Sequence, residues 1–402
     1  MQRRHLLLGG AAAGVGAIAA AGVQLASSAP SSAPAAALDD DGARGAETVP
    51  FHGARQAGVG TAAQAHGVFV ALDLKAGTSR ARVRSLLRLL TQDAARLTQG
   101  RPALADTEAE LAVRPARLTV TFGFGPGLFR IAAPAQAPAW LRALPAFGID
   151  RLRPEFSDGD LLLQICADDP LTLAHAQRML LKDSRSFATV RWVQQGFRRA
   201  YGTEQSGTTM RNLFGQVDGT SNPAPGTEGF ETVVYGDERI RPWVKDGTSL
   251  VLRRISMNLD TWDELDRSGR EESVGRKLAN GAPLTGTEEH DEPDFTALNQ
   301  VGFPVIADFS HLRRARPDDP SQRIFRRAFN YDAPPAGAGV SESGLLFASF
   351  QADVDRQFVP IQKRLDELDL LNQWTTPIGS AVFAVPPGCA PDGFVGEGLF
   401  GE

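Results

Sequence analysis

Two short stretches carry residues that could do redox and acid–base chemistry together. One is Asp308-Phe-Ser-His-Leu-Arg-Arg-Ala-Arg316, followed by Arg323-Ile-Phe-Arg-Arg327, where His311 stands among arginines with no lysine close by. Guanidinium groups hold carboxylates bidentately, and an imidazole can ligate iron, so this company suits haem, with its two propionates and one iron. A basic surface loop beside a structural histidine would give the same spacing. The other stretch is Asn212-Leu-Phe-Gly-Gln-Val-Asp-Gly-Thr-Ser-Asn-Pro223. By turn chemistry alone its Asp218-Gly219 is a turn, and Asp218 is also a carboxylate able to carry a proton.

Other residue clusters offer less. His52, His66, His175 and His290 lack the close local spacing of a multi-histidine metal site, and His290 sits in the acidic run Glu288-Glu-His-Asp-Glu-Pro293, a solvated loop or a weak cation site. Gly123-Phe-Gly-Pro-Gly127 has neither a dinucleotide-binding register nor a Walker lysine, and Pro126 lacks an amide donor, so it reads as a turn at a strand end. With only Cys166 and Cys389, cysteine-ligated zinc, iron–sulfur clusters and a disulfide scaffold are excluded. No C-x-x-C-H occurs, so any haem would be bound without covalent attachment.

The elements that must position these residues alternate between short apolar strands and amphipathic helices. Strands at 68–74, 118–122, 160–165 and 188–193, with helices at 79–99 and 170–182, give the order β-α-β-β-α-β of a ferredoxin-like unit. A second copy is expected from strands at 249–256, 344–350 and 380–385 with helices at 261–278 and 353–371. It carries an insertion at about 280–340 that holds His290, His311 and the arginines, and insertions of that length are usually functional. The fold class is therefore α+β, two ferredoxin-like units with antiparallel sheets, divided as 46–215 and 216–402.

Residues 1–45 read as an export signal and linker, with Arg3-Arg4 before a Gly/Ala-rich apolar run that carries no charge until Asp39. A twin-arginine signal of this kind implies export of an already folded protein, extracellular or to the cell envelope. The whole chain, 402 residues with 42% hydrophobic residues, is long enough for two or three domains. Its 42 basic against 47 acidic side chains give a net charge of −5, which leaves no basic surplus for nucleic acid.

Gly215-Gln-Val-Asp-Gly-Thr220 matches the G-x-x-D-G-T signature of the dye-decolorising peroxidases, and the likeness extends along the chain. Phe51-His-Gly-Ala-Arg-Gln-Ala-Gly58, Phe122-Gly-Phe-Gly125, the His311 segment, Arg326-Arg-Ala-Phe-Asn-Tyr331 and Gly344-Leu-Leu-Phe-Ala-Ser-Phe-Gln351 follow in that family's order. Arg55 replaces the usual histidine of the entry segment, and Ala328-Phe329 replace a Gly-Tyr pair. The chain thus resembles this family over nearly all of the mature sequence. The resemblance implies one haem b per chain, held non-covalently in the C-terminal unit, and oxidation of dyes, phenolics or other bulky donors by hydrogen peroxide through a ferryl intermediate. It places His311 as the iron ligand, with Asp355, or Asp353, accepting the other imidazole proton. Asp218 and Arg326 become the catalytic pair, with Gly219, Thr220 and Arg326 against the haem. Bulky donors imply electron relay through aromatic residues, drawn from Trp140, Trp192, Trp243, Trp262, Trp374, Tyr201, Tyr235 and Tyr331. The implied partners are peroxide, an organic donor and the twin-arginine export machinery, with a homo-oligomer left open. A relative's role gives the alternative function, haem handling with iron release in the manner of a deferrochelatase.

Overall fold

The computed structural model describes residues 44–335, 339 and 341–401; the twin-arginine segment lies outside the described residues. Strand β1 (His66–Leu74) leads into helix α1 (Arg80–Leu97), capped by the Ser79 hydroxyl, which accepts the Arg82 N–H. Val83, Leu86, Leu87 and Leu90 form its buried stripe, the i, i+3, i+4, i+7 spacing of an amphipathic helix. Strand β2 (Thr119–Phe124) ends at Gly125, and helix α2 (Pro126–Ala132) begins there with proline at its first position. A side chain on Gly125 would collide with the Gly159 carbonyl at 1.9 Å, so the glycine-rich segment is the close-packed strand end expected. Strand β3 (Leu161–Ala167), helix α3 (Pro170–Ser184) and strand β4 (Ala188–Phe197) complete the unit. The antiparallel sheet order is β4-β1-β3-β2.

The second unit repeats this order. Helix α4 (Glu228–Tyr235) precedes strand β5 (Thr248–Met257). The helix expected over 261–278 is two short ones, α5 (Leu259–Asp263) and α6 (Arg267–Val274). Asp266 caps the second by accepting the Gly269 N–H, and Gly275, left-handed at φ +84°, ends it. After α7 (His311–Ala315) come β6 (Phe325–Arg326), β7 (Phe329–Ala333) and β8 (Glu342–Gln351). Strand β7 lies inside what the sequence presents as a loop insertion. A single π-turn over Val354–Phe358 opens helix α8 (Val359–Leu368), and β9 (Thr375–Val385) closes the fold. The sheet order β9-β5-β8-β7 has the same fourth-first-third-second form as the first unit.

The two sheets join edge to edge at both sides: Phe124 pairs with Ala384 across β2–β9, and Phe197 with Asn330 across β4–β7. Each unit's second strand therefore meets the other's fourth, and the strands close into a ring. The inner faces fill with Phe69, Phe329, Phe350, Phe383, Leu250 and Leu346, all buried, so the ring is a packed core. Helices cover the outer faces, and on the second sheet's outer face a separate cluster forms around Met210, Phe214, Met257, Trp262, Val274 and Leu345. The candidate residues gather beside it. Cys166 and Cys389 are both free and buried.

Candidate functional site

His311 is the first residue of α7, a helix of five residues that owes its place to α8. The two helices are laced by Arg314 Nε–H to the Arg364 carbonyl at 3.0 Å, Arg364 Nε–H to the Arg314 carbonyl at 3.3 Å, and the Arg314–Glu367 ion pair at 3.0 Å. The Leu370 N–H donates to the Phe309 carbonyl at 2.9 Å. These bonds bring the end of α8 against the start of α7, and there Asp369 Oδ2 lies 2.6 Å from His311 Nδ1. The other Asp369 oxygen accepts the Leu371 N–H at 3.0 Å, which fixes the carboxylate plane.

Asp369, not Asp355, is therefore the acid beside His311. Asp355 lies on the outer side of the π-turn, half-exposed and paired with Arg142 at 3.0 Å. Asp353 caps that turn by accepting the Arg356 N–H at 3.0 Å. Burial pushes the His311 pKa down, but the charge and hydrogen bond of Asp369 outweigh it and the net shift is upward. A carboxylate on Nδ1 keeps a proton there and leaves Nε2 as the free lone pair. The ring keeps 32% of its side-chain surface accessible, although desolvation is the strongest single influence on it. The ring is thus surrounded by protein atoms yet not fully covered by them. Leu213, Ile255, Leu259, Phe347 and Leu371 are apolar side chains only partly buried against the neighbouring cluster.

Asp218 and Arg326 meet, 108 residues apart in sequence: Arg326 Nη1–H donates to Asp218 Oδ1 at 2.6 Å. Arg326 sits on β6 opposite Ser349 of β8. Its backbone is gripped at both ends by Asn222, whose amide donates to the Arg326 carbonyl at 2.7 Å and whose Oδ1 accepts the Arg326 N–H at 2.9 Å. The Asn212 amide reaches Asp218 Oδ2 at 3.3 Å, and the Asp218 N–H donates to the Met210 carbonyl at 2.8 Å. Gly219 turns the chain at φ +139°, a conformation a side chain would strain. Thr220 Oγ1–H donates to Glu289 at 2.9 Å, so the threonine ties the motif to the long loop. The charges of Asp218 and Arg326 both act on the His311 pKa, so the three lie within electrostatic reach of one another.

Most of the arginines near His311 are already engaged. Arg313 donates to the Phe295 and Ile306 carbonyls, Arg316 pairs with Glu292, Arg323 donates to the Ser221 carbonyl, and Arg327, wholly buried, bonds the Thr61 carbonyl and Gln64. Burial holds the pKa of Arg276 down, Glu289 raises it, and the charges of Arg326 and Arg316 lower it further. Three cations thus lie within electrostatic reach of one another. The buried hydroxyls of Ser310 and Ser349, one beside His311 and one beside Arg326, have no hydrogen-bond partner.

His290 is exposed, 4.0 Å from Glu289, and His175 bonds Asp106 at 2.8 Å in a buried structural pair. Asn258 caps α5. Among the described residues no group of three or more His, Cys, Asp or Glu side chains could hold a metal ion. Of the relay aromatics, Tyr201 is exposed, Trp243 and Trp374 are half-buried, and Trp140, Trp192, Trp262, Tyr235 and Tyr331 are buried. Trp262 and Trp374 pack edge to face at 5.2 Å.

Two family models match the chain: "Dyp-type peroxidase, N-terminal" over residues 56–198 and "Dyp-type peroxidase, C-terminal" over residues 209–390. A dye-decolorizing peroxidase of Thermobifida fusca is 38% identical over 96% of this chain and 94% of its own length. A deferrochelatase of Escherichia coli K12 is 34% identical over 85% of this chain and 84% of its own. The crystal structure of a DyP-type peroxidase from Cellulomonas bogoriensis superimposes with a TM-score of 0.86 at 54% identity, covering 90% of this chain and all of that one. One from Streptomyces coelicolor gives 0.85 at 40%, over 89% of this chain and 98% of the other.

Proposed function

The chain belongs to the Dyp-type peroxidase family and is a peroxidase, and from that premise we propose that His311, Asp369, Asp218 and Arg326 form its working site around a non-covalently bound haem. The residues present fit that group. A histidine with Nε2 free and Nδ1 held by a carboxylate is the donor that iron takes. With it go a carboxylate–guanidinium pair, partly buried apolar side chains and two unpartnered buried hydroxyls. Arg316 and Arg326 already have carboxylate partners, whereas the buried Arg276 bonds, among the described residues, only the Gly281 and Glu289 carbonyls and suits a ligand that brings negative charge. Bound haem supplies the iron that draws two electrons from the donors and passes them to peroxide.

The chain's own part is proton movement and charge. Cleavage of the peroxide bond moves a proton from the inner oxygen to the outer one, and Asp218 is placed to take it and return it. Arg326 remains cationic throughout and stabilises the charge on the departing oxygen. Asp369 keeps the His311 proton on Nδ1 and makes the ligand more basic. Thr220 and Gly219 act by holding Asp218 in place, through the Glu289 bond and the turn. The single observation that carries this reading is that four separated segments bring the His311–Asp369 and Asp218–Arg326 pairs, each bonded at 2.6 Å, within electrostatic reach of each other.

The donors are dyes, phenolics or other bulky reductants, in keeping with the dye-decolorizing relative of Thermobifida fusca. Iron release from haem is not favoured, since the deferrochelatases match as members of the same peroxidase family. We place the protein outside the cytoplasm, exported folded through the twin-arginine route on the strength of Arg3-Arg4 and the weakly apolar run behind them. His311→Ala tests the site: the purified variant should lose the Soret band or hold haem loosely, and a native spectrum at full occupancy would overturn the assignment. Arg3→Lys with Arg4→Lys should stop secretion; processed, haem-loaded protein in the medium would overturn the export route.

A further inference from the structure

Away from the His311 pocket, an open groove of about 460 Å³ is walled by Pro138, Trp140, Arg241, Trp243, Val244 and Asp353. Its volume falls among those of small-molecule sites. The Trp243 indole is held in place: its Nε1–H donates to the Thr248 carbonyl at 3.1 Å, and Phe129 packs edge-on against it at 5.7 Å. The indole stays partly exposed. Asp353 is already engaged as the cap of the π-turn, and the neighbouring Arg142 is paired with Asp355. Arg241 is exposed and, among the described residues, no carboxylate is paired with it. The groove therefore offers one flat aromatic wall and one uncommitted guanidinium. That is the complement of an aromatic ring bearing an acid group, since rings stack on indole and guanidinium binds carboxylate or sulfonate in its plane.

The wall is also joined to the catalytic strand. Thr248, whose carbonyl accepts the Trp243 indole N–H, opens β5, and the next residue, Ser249, stands opposite Gln351 of β8 and donates its hydroxyl to the Gln351 carbonyl at 2.5 Å. The Gln351 amide in turn donates to the Ser349 carbonyl at 3.2 Å, and Ser349 stands opposite Arg326 in the β6–β8 ladder. A hydrogen-bonded path three links long runs from the groove to the strand paired with Arg326.

We propose that this groove holds the organic electron donor, an aromatic carboxylate or sulfonate, with its acid group on Arg241 and its ring against Trp243. The inference rests on the peroxidase reading. Reduction of one peroxide to two waters consumes two protons and two electrons, so two donors bind in succession and each gives up one electron. Binding at the surface removes the need for a bulky donor to enter the His311 pocket.

Calorimetric titration of the holoprotein with anthraquinone-2-sulfonate, without peroxide, measures the site directly. Arg241→Gln should weaken binding about fivefold, the size of one exposed charge contact, and Arg241→Glu should weaken it further. In steady-state assays with peroxide, the ratio of KM for a sulfonated anthraquinone dye to KM for uncharged guaiacol should rise by the same factor. Unchanged affinity and an unchanged ratio in both variants would overturn the proposal. Wild-type protein that oxidises neither donor with peroxide would instead overturn the activity reading, whatever the titration shows.

Discussion

Asp369→Asn isolates the contribution of one charge, because the new side chain has the shape of the old one. Asp369 is buried and spends one oxygen on the Leu371 N–H and the other on His311 Nδ1. Asparagine has a single oxygen, and the Leu371 N–H requires it. Its NH2 group then faces Nδ1, which must become an acceptor, and the ring proton moves to Nε2, the atom that should be free. The variant therefore loses a charge-assisted hydrogen bond, worth about 1.5–3 kcal/mol, and acquires the wrong tautomer as well. At about 1.4 kcal/mol per tenfold, haem should dissociate roughly ten to a hundred times more readily, the range typical when the partner of a metal-ligating histidine is removed. Transfer of haem to an excess of apomyoglobin, followed at the Soret band, reads this rate. The iron potential should also rise, since a less basic ligand favours the oxidised metal less. Asp355→Asn serves as the comparison, because that carboxylate only pairs with Arg142 at the surface. Native transfer rate and potential in Asp369→Asn, or equal effects from the two variants, would refute the argument.

Across the site from Asp369, Asp218→Asn should slow the reaction with peroxide by roughly 10²–10⁴ and Arg326→Leu by roughly 10²–10³; stopped-flow mixing decides, and native rates in both would move the proton carrier and its partner elsewhere. Arg253 is fully buried and paired with Asp150, so Asp150→Ala leaves an uncompensated cation and should cost about 3–5 kcal/mol, seen as a lower denaturation midpoint in urea. Burial and the neighbouring Asp93 carboxylate push Asp183 up to about 7 from its ordinary 3.8. The folded protein then holds a proton that the unfolded chain has lost, so this group's contribution to stability falls as pH rises from about 4 to about 7 and is level above that. Asp183→Asn should raise Tm more at pH 8 than at pH 5, and a Tm difference independent of pH would refute the shift.

The first unit was legible because its signals are local. Strand β3 is apolar at nearly every position, and α1 carries its buried stripe in register, so period alone places both. In the second unit the signals fail for identifiable reasons. Strand β7 does alternate Phe329 and Tyr331 with Asn330 and Asp332, but it follows an arginine-rich run and reads as part of the loop. The helix expected over 261–278 contains Asp266 and Gly275, a cap and a left-handed stop, and these divide and end it. The Asp218–Arg326 contact came from family motifs, since nothing in spacing links positions so far apart. Asp369 was missed for the same reason. It lies 58 residues beyond His311, and the acid chosen in its place sits at the opposite end of the same helical segment, about 20 Å away at 1.5 Å per residue. No rule of spacing chooses between two acids on one helix when the partner arrives from another element.

The way the distal pair is held decides how its variants can be interpreted. A carboxylate and a guanidinium at 2.6 Å could owe their positions to each other, and removing one would then release both. Here each has independent support. Arg326 is fixed through its backbone, by ladder pairing with Ser349 and by two bonds from Asn222. Asp218 is fixed through the Met210 carbonyl and the Asn212 amide. Neutralising either side chain leaves the other where it was, so a loss of rate reports lost chemistry. Asn222→Ala should behave differently: it preserves both charges but removes two bonds from the backbone of Arg326, allowing the guanidinium to drift. The peroxide reaction should slow, but by less than in Arg326→Leu, because both charges remain. If Asn222→Ala instead matches wild type, the two-residue strand β6 is sufficient by itself to aim Arg326, and the asparagine clamp is redundant.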